Sequence, residues 1–102
     1  MSRRAQIEEM LKETPEDTFL QYALAMELKS EGQHEASLKL FDGLMEANPP
    51  HVPAFFMAGQ QLAGLDRVEE AQQILSSGIE QANLQGNAHA SGEMTEFLMS
   101  LE

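Results

Sequence analysis

Apolar residues recur along this chain at helical spacing, in six blocks separated by proline and glycine. In the first block, about Arg3 to Glu13, Ile7, Met10 and Leu11 share one face at i, i+3 and i+4. Thr14 reads as the N-cap of a second helix, with Pro15 at its first position and Asp17 as a capping-box acid. That helix runs to about Ser30, turns Leu20, Ala23, Leu24 and Leu28 inward, and is broken at Gly32. A third helix, about His34 to Ala47, carries Leu38, Phe41, Leu44 and Met45. Asn48-Pro49-Pro50-His51 ends it, because Pro49 lacks an amide donor and restricts the residue before it.

The fourth helix begins near Val52-Pro53 and shows Phe55, Ala58, Gly59 and Leu62 before Gly64. Asp66, with Glu69 three residues on, reads as the cap of a fifth, whose stripe is Val68, Ala71, Leu75, Gly78, Ile79 and Ala82. Asn83 to Gly86 reads as a loop. The last helix, about Ala88 to Leu101, places Met94, Phe97, Leu98 and Leu101 at i, i+3, i+4 and i+7, with Gly92 weakening its first half. No segment alternates with the period of a strand. The pattern predicts an all-α chain of six antiparallel helices joined by short turns.

A second regularity lies over the first. Ile7, Phe41 and Leu75 stand 34 residues apart, as do Leu11, Met45 and Ile79. Leu28 pairs with Leu62, Ala25 with Gly59, Ser37 with Ala71, and Pro15 with Pro49 at the same interval. A fixed period of this length marks stacked supersecondary units, which bury their apolar faces against one another and present an extended binding surface.

Composition narrows the function. At 102 residues the chain is expected to form one domain at most. Six Lys and Arg face 17 Asp and Glu, a formal net charge of -11. A field of that sign repels phosphate backbones and anionic headgroups, so neither nucleic acid nor a membrane surface is an expected partner. It serves solubility and favours a partner with basic flanks. Cysteine is absent, which removes disulfides and thiolate metal sites. The start turns acidic at Glu8-Glu9, where a leader would turn apolar, and no run approaches the ~18 apolar residues of a membrane span. A cytoplasmic protein is expected.

Chemical signals are sparse. His89 and Glu93 lie at i, i+4, but two ligands without a third make a poor metal site, and an exposed polar face explains them. His34 and His51 have no catalytic companion in sequence, and Glu8-Glu9, Asp66 and Glu69-Glu70 read as capping and solvated charges. There is no glycine-rich phosphate loop and no Ser or Thr in a nucleophile context. Neither an enzyme nor a bound cofactor is expected.

With Thr18 and Val52 as the first positions of two successive repeats, the chain resembles the tetratricopeptide repeat family, as a small bacterial-type member. Leu24-Ala25 and Ala58-Gly59 take the large-then-small pair of the first helix, and Leu28 and Leu62 the usual Tyr position. Gly32 is the turn glycine, replaced by Asp66 in the second repeat; Ser37 and Ala71 take the small crossing position, and Phe41 and Leu75 the aromatic one. Departures are Gln21 for the favoured Trp, and Leu44 and Gly78 for Ala. Beyond Gly86 the register fails.

The resemblance implies an α-solenoid in a single domain over residues 1–102. It comprises an N-terminal half repeat (3–15), repeats at 18–51 and 52–85, and a capping helix at 87–102.

In that family the first helix of each pair lines a concave groove. Carried over, the lining is Phe19, Tyr22, Met26 and Lys29, then Pro53, Phe56, Gln60 and Ala63, with Met57 beside Phe56. The implied function is a non-catalytic interaction module or scaffold, binding an apolar or amphipathic segment of a protein or peptide partner. A bland reading stays open, in which Tyr22 and Phe56 pack on neighbouring helices or on the capping helix. One subgroup grips a C-terminal carboxylate with Lys and Asn; Tyr22, Met26, Phe56 and Gln60 stand there instead, so that role is not implied. The alternative class is a self-assembling homodimer, built on the outer face of the unpaired first helix.

Overall fold

Three turns of one design set the architecture. In the computed structural model, which describes residues 2–102, the helices are α1 (Arg3–Glu13), α2 (Thr18–Ser30), α3 (His34–Met45), α4 (Val52–Gly64), α5 (Val68–Leu84) and α6 (Ala88–Ser100). After α2, Gly32 takes φ 79°, and the Gln33 amide donates to Leu28 O at 2.8 Å while the Gly32 amide donates to Lys29 O at 3.0 Å. This is a Schellman motif, which satisfies the last carbonyls of a helix and needs a left-handed residue at its centre. The turn after α4 repeats it: Arg67 N bonds Leu62 O at 2.9 Å and Asp66 N bonds Ala63 O at 3.0 Å. The turn after α5 repeats it again, with Asn87 N on Ala82 O at 2.8 Å and Gly86 N on Asn83 O at 3.1 Å.

These turns correct two readings of the sequence. Asp66 does not cap α5; it stands at φ 63° in the place Gly32 fills one repeat earlier, a conformation that Asp tolerates better than most residues. Asn83 is not loop, because α5 runs on to Leu84 and the turn occupies residues 85–87. Two smaller differences are local. Asp17, not Thr14, caps α2, accepting from the Leu20 amide at 3.0 Å. Thr14 instead closes α1, its amide and hydroxyl both reaching Met10 O at 3.2 Å. The third helix stops at Met45, two residues short of the expected Ala47.

The helices gather into two compact units, Met1–Pro49 and Pro50–Glu102. In the first, α2 packs between α1 and α3. Partner numbers converge on the turn, Tyr22 with Phe41 and Ala25 with Ser37, as antiparallel neighbours require. Phe41 is fully buried, and so is Ser37, whose hydroxyl donates to Ala25 O at 2.7 Å. Arg3 and Arg4 tie α1 to α2, reaching Glu27 at 2.7 Å and Glu31 at 2.8 Å. The basic end of α1 therefore faces its neighbour. Of the residues expected inside α2, Leu28 is buried, whereas Leu20, Ala23 and Leu24 remain partly accessible.

In the second unit α5 packs against α4 and α6, and α6 also touches α4. Small residues sit where helices cross. A methyl group on Gly59 would stand 2.7 Å from Leu75 Cγ, and one on Gly78 would stand 2.5 Å from Phe55 Cβ and 2.7 Å from Met94 Sδ. Leu75 and Met94 are fully buried. Gly78 thus departs from the family's Ala because Met94 of α6 and Phe55 of α4 both close on it.

Candidate interaction surface

Each unit carries one stripe of mostly apolar side chains outside its core, on α2 in the first and on α4 in the second. On α2, Phe19, Tyr22, Met26 and Lys29 follow one another at helical spacing. Phe19 is 74% exposed, while Tyr22, Met26 and Lys29 are half-buried. Tyr22 meets Phe41 edge-on at 5.9 Å, and burial raises its phenol pKa above the ordinary value. On α4, Phe56, Met57 and Gln60 are half-buried, and Pro53 is exposed in the first turn.

Phe56 does not stand alone. Its ring meets Phe97 of α6 at 6.0 Å and 64°. Beside this pair opens a cleft of ≈ 340 Å³, lined by Phe56, Glu93, Glu96, Phe97 and Ser100. The sequence pattern placed Phe56 in the expected lining, Phe97 in the apolar stripe of a capping helix and Glu93 on an exposed polar face, and did not single out Glu96 or Ser100. Glu93, Glu96, Phe97 and Ser100 fall at i, i+3, i+4 and i+7. That spacing was the available signal for a second face on α6. The bland reading of Tyr22 and Phe56 holds to this extent: both rings touch a neighbouring helix, yet neither is buried.

Charges elsewhere are largely structural. Arg67 pairs with Glu70, holding that carboxyl below its usual range, and Lys12 pairs with Glu9 at 3.0 Å. Asp42 is raised by partial burial and then by Glu46, which caps the end of α3, and by Glu35 in its first turn. His51, half-buried at the start of α4, is lowered by burial. His89 Nε2 lies 3.4 Å from Glu93 Oε1, a surface pair. Among the described residues, no three His, Asp or Glu side chains converge as a metal site, and no helix is long and apolar enough to cross a membrane.

Helical hairpins closed by identical turns, with small residues at the crossings, define a helical-repeat scaffold. A tetratricopeptide repeat domain protein from Salinibacter ruber shares 32% identity, over 86% of this chain and 89% of that one, with a TM-score of 0.81. The chain belongs to the tetratricopeptide repeat family, whose fold serves protein interaction and is a non-enzymatic scaffold. A protein from Bordetella parapertussis shares the fold at 23% identity and a TM-score of 0.83, over 99% of this chain and 88% of that one. No family model matches the chain, and no curated protein does.

Proposed function

We propose that this protein is a non-catalytic interaction module that docks an apolar or amphipathic segment of a partner protein on the stripes of α2 (Phe19, Tyr22, Met26, Lys29) and α4 (Phe56, Met57, Gln60). The observation that carries the reading is the accessibility of aromatic and Met side chains on α2 and α4, after the cores of both units have been filled by other residues. Such side chains bind apolar segments adaptably, and burying two or three contributes roughly 1.5–3 kcal/mol each before ordering costs, enough for micromolar affinity. The excess of acidic residues favours basic flanks on the partner and makes association weaken with salt.

Selection of peptides from a random library on the full chain, followed by mapping of amide shifts, tests this. Selected peptides should perturb α2 and α4 and lose affinity for the Phe19→Ser/Met57→Ser variant at unchanged helicity. A library that yields no binder, or binders indifferent to those substitutions, refutes it. A second reading, self-association, is favoured by Met10 at 49% and Phe19 at 74% exposure, which flank the α1–α2 turn.

A further inference from the structure

The α4–α6 cleft has a chemistry of its own. Its apolar walls are the rings of Phe56 and Phe97, and its polar groups are the carboxylates of Glu93 and Glu96 and the hydroxyl of Ser100. Ser100 donates its proton to Phe97 O at 2.6 Å, so its oxygen faces any ligand as an acceptor. His89 approaches one carboxylate oxygen of Glu93 at 3.4 Å, leaving the other and both of Glu96. The cleft therefore offers acceptors and aromatic surface. Counting Glu93 and Glu96, residues 50–102 hold seven acids and a single Arg or Lys, Arg67, which is engaged by Glu70.

We infer that the cleft formed by Phe56, Phe97, Glu93 and Glu96 receives an arginine side chain from the partner segment. The inference rests on the interaction function proposed above and names the chemistry of one of its contacts. Charge complementarity selects a cation, and the absence of donors from the lining selects a group that only donates. Two carboxylates one helical turn apart can share the five N–H groups of a guanidinium. The ring pair selects arginine over lysine, because a guanidinium is weakly hydrated and stacks on aromatic faces, while its methylene stem covers apolar surface. A bare metal ion would leave the rings unused and find only two carboxylates.

The test uses dodecamers selected from a random library on the full chain, so that peptide binding and arginine recognition are read separately. Selected peptides should be enriched in arginine. The strongest should bind about tenfold more weakly to Glu93→Gln/Glu96→Gln, as expected for two partly exposed ion pairs. Replacing its arginine by citrulline, which keeps the shape and removes the charge, should weaken binding to wild type equally. It should cost nothing further on the variant. Glu69→Gln/Glu80→Gln changes net charge by the same amount on α5 and should leave affinity nearly unchanged. Equal losses from both double variants would reduce the effect to the overall field and overturn the inference. Binders without arginine, indifferent to Glu93→Gln/Glu96→Gln, would overturn it while leaving the interaction function standing. Failure to select any peptide would remove both.

Discussion

Substituting alanine at Gly78 and at Gly92 adds the same methyl group in two different surroundings. Both glycines lie inside helices of the second unit, so each substitution gains about 1 kcal/mol of helix propensity. At Gly92 nothing lies within 4 Å of the new carbon, and the gain should be realised in full. At Gly78 the carbon would meet Phe55 Cβ at 2.5 Å, Met94 Sδ at 2.7 Å and Phe55 Cγ at 3.0 Å. Carbon contacts settle near 3.5–4.0 Å, so Phe55 must recede by roughly 1 Å. Its Cβ is fixed to the α4 backbone, which has to move with it. Met94 has a flexible thioether but is fully buried and has little room to turn. Overpacking costs about 1–3 kcal/mol, and a contact this short that displaces a backbone falls at the upper end, about 2–3 kcal/mol, which outweighs the propensity term. Gly78→Ala should therefore lose about 1–2 kcal/mol where Gly92→Ala gains about 1. On a domain of this size that separates the two melting temperatures by roughly 10–20 °C. Thermal and urea unfolding followed by circular dichroism at pH 7 measures it. Equal shifts, or a Gly78→Ala protein as stable as Gly92→Ala, would refute the close approach of α4 and α6 on α5.

Two further outcomes follow from single groups. Burial lowers the His51 pKa in the folded protein, so the unfolded chain takes up a proton first as pH falls below the ordinary 6.5. The stability that neutral His51 contributes is complete above that value and declines below it; His51→Gln should flatten the slope of the urea midpoint between neutral and mildly acidic pH, and an unaltered slope would exclude His51 as its source. Self-association through Met10 and Phe19 predicts a sedimentation mass that rises at several hundred micromolar and returns to monomer in Met10→Gln/Phe19→Gln; a strictly monomeric wild type sinks that reading.

The helices were legible because proline and glycine bracket them and because the 34-residue interval puts residues of one kind on successive rungs. Phe41 and Leu75 occupy equivalent rungs, and both are fully buried. The turns were harder, since Asp serves two purposes. Asp17 caps a helix with its side chain, while Asp66 takes a left-handed backbone, and both precede an apolar stripe. Local sequence offers the same signal in each case; only the backbone hydrogen bonds of the preceding helix distinguish them. Thr14 misled for a related reason: it is a good cap residue beside a proline, but its own amide and hydroxyl donate to Met10 O of α1 instead.

The candidate surface was legible on α2 and α4, where the family frame could be laid on the residues, and illegible on α6, where that frame fails. The failure has a physical origin. The turn before α6 is built like those before α3 and α5, whereas the matching connection one repeat earlier is the proline loop 46–51, and α6 begins 36 residues after α4 (88 against 52), two beyond the repeat interval. α6 therefore packs on α5 as a hairpin partner while also meeting α4. Because an α-helix advances 3.6 residues per turn, Met94 lies on one stripe and Glu93, Glu96, Phe97 and Ser100 lie on the stripe beside it. The first stripe buries Met94 against Gly78, closing the end of the second unit. The second sets Phe97 against Phe56 and opens the acidic cleft. A helix recruited to cover the last apolar face thus acquires, one stripe over, the aromatic and acidic groups of a binding surface, and the small residue at Gly78 is what lets it sit close enough to do both.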